Sequence, residues 1–428
     1  MERILIRKGF LDFIKRMLFW RKHYPDPIVR HQALRPILPQ VIQIVQKLQA
    51  KGFKAYIVGG SVRDLLVGCV PKDFDIVTDA RPNQVRKLFK HSMIIGRRFR
   101  LVHVKYGRGA NDFIEVATFR ANAKIRGWSN NRKANNNIYG DQFTDAWRRD
   151  FTLNALLYDP IQNCIIDHCG GLSAIQKKQI VMIGEPRLRF QEDPVRMLRA
   201  VRFAAKLEFS LAENITSAMM QQRALLRQAS VDRMYLEVLK LFYTGCGVTV
   251  WHLLRQYELL DVIFPAITQV LQHQQFGKRT ANFVVEALTQ ADQRFMQDKH
   301  LSPAFLFSVL YWFPWLLMRK TVKTRRRTVL RHKMLAMLQE SRKHVAVSNR
   351  VCDAVVAIWD LQMTFQRRKP KQIERLMTHP RFRAAYDFLL IRAKLGEVSQ
   401  DLVDWWSNYL AADADTQAGM LVALEKNT

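Results

Sequence analysis

Acidic residues are in short supply in this chain: 37 Asp and Glu stand against 68 Lys and Arg, leaving a formal net charge of +31. That deficit points to a polyanionic partner. The basic residues are spread along the whole chain, which favours nucleic acid over a membrane anchor, and they lie within apolar, periodic sequence, unlike a histone-type tail. Paired cysteines are also missing. Cys69, Cys164, Cys169, Cys246 and Cys352 form no Cys-x-x-Cys pair and no zinc spacing, and an odd count of thiols suits a reducing compartment such as the cytoplasm. Long apolar runs are lacking too. The membrane-like segment Pro303–Met318 has 16 residues and is interrupted by Pro314, short of the ~20 a spanning helix needs, so it reads as a buried core helix. Arg7, Lys8, Asp12, Lys15 and Arg16 break up the first apolar residues, so no secretory signal is expected. No internal repeat is visible.

What is present suffices for two or three domains with an ample core, since the chain has 428 residues and is 48% hydrophobic. Residues 1–37 read as a basic N-terminal segment and linker, with Phe10, Phe13, Ile14, Met17 and Leu18 near helical spacing and Pro25, Pro27 and Pro36 following. A helix over about 38–51 carries the apolar stripe Val41, Ile44, Val45 and Leu48. From 54 to 183 strand and helix patterns alternate. Arg100–Tyr106 and Asp112–Phe119 suggest a hairpin through Gly107–Gly109, and Asn122–Asp141 reads as a polar loop. Beyond Arg189 strand signals fade and helical spacing takes over. The fold class is α+β, with a small mixed β-sheet and flanking helices over 38–185, a helical neck over 186–250 and a helical body over 251–428.

The richest stretch is Pro71-Lys-Asp-Phe-Asp-Ile-Val-Thr78, a short way after Gly59-Gly60-Ser-Val-Arg63-Asp64. In an extended segment residues i and i+2 share a side. Asp73 and Asp75 then present two carboxylates to one spot while Phe74 and Ile76 turn into a core. Adjacent carboxylates resist joint ionisation, and a hard divalent ion such as Mg2+ removes that cost. The upstream Gly-Gly turn lets backbone N–H groups approach an anion. A phosphate-cradling turn followed by a metal-holding strand points to phosphoryl or nucleotidyl transfer. Glu115, on a second strand-like run, either completes the metal site or blunts a sheet edge. Asp145-Ala-Trp-Arg-Arg-Asp150 gathers arginines suited to a triphosphate, with Asp145 also readable as a helix-terminal acid. Asp193 and Pro194 read as the N-cap and first residue of a helix in which Arg196, Arg199 and Arg202 recur. Arg325, Arg326 and Arg327, with Arg367, Arg368 and Lys369, read as a phosphate-backbone track.

Gly59-Gly-Ser-Val-Arg-Asp-Leu-Leu-Val-Gly68, Lys72-Asp-Phe-Asp75, Arg148-Arg-Asp150 and Glu192-Asp-Pro-Val-Arg196 resemble, in order and spacing, the motif series of class II nucleotidyltransferases. That group contains bacterial poly(A) polymerases and tRNA CCA-adding enzymes. Ile95-Gly-Arg-Arg-Phe-Arg-Leu-Val-His-Val104 resembles the polymerase form of its strand, and Ile358-Trp-Asp-Leu-Gln362, Arg367-Arg-Lys-Pro370 and His379–Tyr386 resemble an arginine-rich polymerase C-terminus. The resemblance implies that Asp73 and Asp75 hold two Mg2+ ions and that Asp150 is an active-site acid. Gly59, Gly60, Arg63 and Asp64 would serve the triphosphate, and Arg149, Glu192, Asp193, Arg196 and Arg199 the incoming nucleotide. It also implies template-independent addition of AMP from ATP to RNA 3′ ends, release of pyrophosphate and RNA decay, in a cytoplasmic chain taken as a monomer. CCA addition to tRNA is the same-chemistry alternative, and a non-catalytic RNA-binding adaptor the alternative of another class.

Overall fold

A computed structural model describes residues 27–96, 100–107, 109, 112–121, 139–299, 302–324 and 326–426. The amphipathic stretch read in the first thirty residues, and most of the polar loop at 122–141, lie outside them. The chain divides into two compact units. One takes the residues up to Arg189 with Ser210–Ile215, the other Phe190–Phe209 and the chain from Thr216 onward.

In the first unit the strands are β1 (Ile28–His31), β2 (Ala55–Val58), β3 (Asp75–Thr78), β4 (Ser92–Ile95), β5 (Leu101–Lys105), β6 (Phe113–Thr118), β7 (Leu157–Asp159) and β8 (Cys164–Asp167). They form one mixed sheet in the order β1-β8-β7-β2-β3-β6-β5-β4. Neighbours are antiparallel except β3 and β6, which run parallel. The expected hairpin is β5–β6, its turn tightened by Asp112, which accepts from the Gly109 N–H at 2.7 Å.

Helices Pro39–Gln49, Gly60–Leu66 and Pro82–Leu88 cover one face. Val41, Val45, Val62 and Val85 pack there against Ile57, Ile76, Val102 and Val116 of the strands. Val58, Val77, Phe119 and Leu157 form a smaller cluster on the opposite face. Burying one such aliphatic side chain contributes about 1.5–3 kcal/mol. A one-residue slip of β3 would turn Asp75 into the main core and Ile76 out of it, so the alternation fixes the register.

The second unit is helical, as expected. Pro303–Thr321 is one helix with Pro314 inside it, buried from Ala304 through Trp315, which confirms a core element. Among the described residues no helix is long and apolar enough to cross a membrane.

Three local expectations need correction. The supposed linker contains β1, an exposed four-residue edge strand paired with β8 and too short to carry a periodic signal. Ser210–Leu211, in the stretch read as purely helical, pairs parallel with Gln179–Ile180. The helix expected to start at Pro194 begins at Arg196, because Asp193-Pro-Val195 is a turn in which the Asp193 carboxylate accepts from the Val195 N–H at 3.3 Å.

Candidate active site

The acids take their places from the strand pattern. Phe74 and Ile76 are 7% and 0% exposed, whereas Asp73 and Asp75 on either side of Phe74 are exposed. The two aspartates therefore share the side away from the main core. Parallel pairing sets Asp75 directly beside Glu115, and antiparallel pairing sets Glu115 beside His103. In-register neighbours hold their Cβ atoms about 4.5–5.5 Å apart, so three carboxylates gather at one end of β3. Crowding by protein pushes the Asp75 carboxyl up to about 6, the Glu115 and Asp73 charges add to the rise, and Arg149 opposes it. Among the described residues no group of three acids, histidines or cysteines encloses a metal unaided. The donor set still fits Mg2+, which is commonly held by one or two carboxylates together with substrate phosphates and water.

Facing these acids is a braced turn. Gly59 has φ +79°, and a Cβ there would meet Arg149 Nη1 at 3.3 Å, so both backbone and space call for glycine. Arg63 lies 4% exposed. Its Nε and Nη2 donate to Asp64 Oδ1 at 2.8 and 2.6 Å, and its Nη1 donates to Asn154 Oδ1 at 2.6 Å. Asn154 Nδ2 in turn donates to Asp150 Oδ1 at 3.1 Å, which also accepts from the Phe151 N–H at 2.9 Å. Arg63, Asp64, Asn154 and Asp150 thus form one buried network beneath the glycine turn. In this geometry Arg63 braces the turn.

Arg149 is aimed by Asp145. The Asp145 side chain is 2% exposed; Oδ1 accepts from Arg148 Nε at 2.8 Å and from the Arg120 N–H at 3.1 Å. Oδ2 accepts from Arg149 Nε and Nη2 at 3.2 and 2.9 Å. Asp145 sits inside the short helix Gln142–Trp147, whose N-cap is Asp141, which accepts from the Thr144 N–H at 2.8 Å. Arg189, 2% exposed, donates to the backbone carbonyls of Arg148 and Arg149. Asn154, Arg189 and His103 carried no separate signal in the sequence, since they act through partners such as Arg63, Arg148 and Glu115 at twelve or more residues' separation.

Glu192, Asp193, Arg196 and Arg199 lie in the second unit. Arg196 Nη1 pairs with Glu192 Oε2 at 3.0 Å, Arg233 Nη2 pairs with Asp193 Oδ2 at 2.6 Å, and the Arg199 guanidinium sits 5.5 Å from the Phe203 ring. Of the basic track, Arg325 lies outside the described residues. Arg326, Arg327, Arg367 and Lys369 are exposed, with Arg327 reaching Asp360 at 3.6 Å. Arg368 is half-buried over the Trp405 ring.

Three family models match this chain: "Poly A polymerase head domain" over residues 55–181, "Probable RNA and SrmB- binding site of polymerase A" over 208–271 and "Polymerase A arginine-rich C-terminus" over 325–428. Poly(A) polymerase I of Salmonella typhi is 37% identical, covering 91% of this chain and 86% of its own length. The Haemophilus influenzae protein of the same name is 37% identical over 89% and 86%. A CCA-adding enzyme of Geobacillus kaustophilus is 38% identical, but over only 49% of this chain and 50% of its own. Among solved structures, the Bacillus stearothermophilus CCA-adding enzyme in complex with CTP matches with a TM-score of 0.61 at 25% identity, covering 86% of this chain and 81% of that one. A tRNA nucleotidyltransferase complexed with a primer tRNA and an incoming ATP analog also matches at 0.61, with 21% identity over 86% and 98%, a likeness of fold alone.

Proposed function

The chain belongs to the poly(A) polymerase family, and from that membership we propose that it adds AMP from ATP to RNA 3′ ends without a template, releasing pyrophosphate. One observation carries the choice over CCA addition. The likeness to poly(A) polymerases runs through 91% of the chain, whereas that to the Geobacillus CCA-adding enzyme stops at 49%.

In the reaction the RNA 3′ oxygen bonds to the α-phosphorus of ATP, the bond to the bridging oxygen of pyrophosphate breaks, and the hydroxyl proton passes to water. Asp73 and Asp75, with Glu115 beside them, form the set that would hold Mg2+, two ions in the reading favoured here. When bound, such cations acidify the hydroxyl and neutralise charge on the leaving group. Arg149, set by Asp145 against the Gly59 turn, supplies fixed positive charge for the triphosphate. The Gly59-Gly60 turn offers it backbone N–H groups, and Arg63, Asp64, Asn154 and Asp150 keep that turn rigid. Glu192, Asp193 and Arg196 have the donor and acceptor types that read a base edge, and the family resemblance gives them the incoming nucleotide. The exposed arginines and lysine of the body take the RNA backbone. The RNA so tailed is directed to decay, in a cytoplasmic setting that suits five free thiols.

Purified protein incubated with ATP or CTP, and with either arbitrary RNA or tRNA lacking its CCA end, separates the readings. Long A-tails on arbitrary RNA are expected. Addition that halts at CCA would transfer the assignment to the tRNA enzymes, and no pyrophosphate release under any condition would leave a binding protein. Asp73→Ala and Asp75→Ala should abolish transfer while RNA binding persists.

A further inference from the structure

Asp75, Glu115 and His103 stand in register on three neighbouring strands, β3, β6 and β5. His103 Nε2 lies 3.2 Å from Glu115 Oε1. With Glu115 ionised its carboxylate only accepts, so the donor in this contact is Nε2–H of His103. The imidazole is itself fixed, lying flat on the Phe113 ring with centroids 3.8 Å apart and planes 10° from parallel. The histidine side chain is 18% exposed and the Glu115 side chain 44%. A half-exposed glutamate has three rotatable bonds, and ordering such a side chain costs up to about 1.5–2 kcal/mol in rotamer entropy. Phe113 holds the ring, the ring holds one carboxylate oxygen, and the carboxylate is kept beside Asp75.

We propose that His103 is a positioning residue for this row: by donating from Nε2 it keeps the Glu115 carboxylate next to Asp75 and so sets how tightly the first unit holds a divalent cation. This deepens the polymerase reading and rests on it. A plain surface pair between a histidine and a glutamate would leave cation affinity untouched, and that is where the two accounts part.

The test is Mn2+ binding to the full chain by isothermal titration, without nucleotide or RNA, with the Mg2+ dependence of AMP transfer measured alongside. His103→Phe keeps a ring to stack on Phe113 but removes the donor. His103→Asn places its amide nitrogen nearer the Nδ1 position, and His103→Gln places it near Nε2. A hydrogen bond to a charged group corresponds to roughly tenfold to a hundredfold, and the partly exposed Glu115 places this loss at the lower end, about tenfold. His103→Phe and His103→Asn are expected to lose Mn2+ affinity by that factor and to raise half-saturating Mg2+ in parallel, while His103→Gln restores both. Parent-like Mn2+ affinity in His103→Phe and His103→Asn, with Asp75→Asn having lost it, overturns the role of His103 and leaves the cation site standing. Unchanged affinity in Asp75→Asn as well removes the cation site, and the proposal falls with it. Because the phenylalanine and asparagine variants each fill the histidine's space, the result does not depend on an alanine variant that fails to fold.

Discussion

Replacing Asp145 with alanine removes a carboxylate that both Arg148 and Arg149 grip. The Asp145 side chain is 2% exposed, that of Arg148 32% and that of Arg149 21%. Taking one partner from a buried ion pair costs about 3–5 kcal/mol, because the other charge is left uncompensated. The guanidinium groups keep some water, which places this case at the lower end, about 3 kcal/mol. In a unit of this size such a loss lowers the melting temperature by roughly 6–12 °C, readable by scanning calorimetry. Asp145→Asn retains an acceptor and the shape but loses the charge, so about half that shift is expected. Burial works to raise the Asp145 carboxyl, yet Arg149 and Arg148 win and hold it below the ordinary carboxylate range. A folded-state pKa below the unfolded one adds stability above the unfolded value, near ~4, and loses it as pH falls through the folded value. The gap between the parent and Asp145→Asn should therefore be full at neutral pH and shrink in acid. In the transfer assay Asp145→Asn should raise KM for ATP more than it lowers kcat, since Arg149 remains but is no longer aimed. An Asp145→Ala protein that melts within about 1 °C of the parent would refute the pairing argument.

Other consequences are equally concrete. Gly59→Ala forces a side chain into a left-handed backbone and against Arg149 Nη1; a loss of about 1–3 kcal/mol is expected, with weaker ATP binding, and a parent-like melt would count against the turn. The Asp167 carboxylate accepts from the N–H groups of Cys169, Gly170, Gly171 and Leu172 at 2.8–3.0 Å. Asp167→Ala should cost at least about 2 kcal/mol in urea unfolding, whereas a loss under half that would mean water replaces it. Replacing Arg326, Arg367 and Lys369 together by glutamine should flatten the log–log salt dependence of RNA binding by roughly 2, at about 0.7 per phosphate contact; coincident lines would remove these residues from the RNA track.

The legibility of the site follows the range of the interactions that build it. The i, i+2 placement of Asp73 and Asp75 was readable because strand alternation is local, and the buried Phe74 and Ile76 agree with it. The neighbourhood of Asp75 and Glu115 was not, because it depends on the parallel pairing of β3 with β6. Sequence could offer Glu115 as a candidate but not choose between metal ligand and edge charge. Arg63 was placed among the residues serving the triphosphate by the family resemblance. Its bond to Asn154, ninety-one residues away, belongs to tertiary structure. Asp193 followed by Pro194 carries a genuine helix-start signal, but the helix waits until Arg196.

One electrostatic rule unites these observations. The first unit pairs these arginines internally: Arg63 with Asp64, and Arg148 and Arg149 with the one carboxylate of Asp145. Asp73, Asp75 and Glu115 instead crowd one another, with His103 3.2 Å from Glu115. Asp75 is crowded by protein and by two like charges, and Arg149 is the cation that acts against its rise. The parallel register of β3 and β6 sets Asp75 beside Glu115, and their charges, with Asp73, add to the desolvation that raises the Asp75 carboxyl. A divalent cation held between these carboxylates, as proposed above, would relieve that like-charge repulsion, so the interaction that costs stability would contribute to cation affinity.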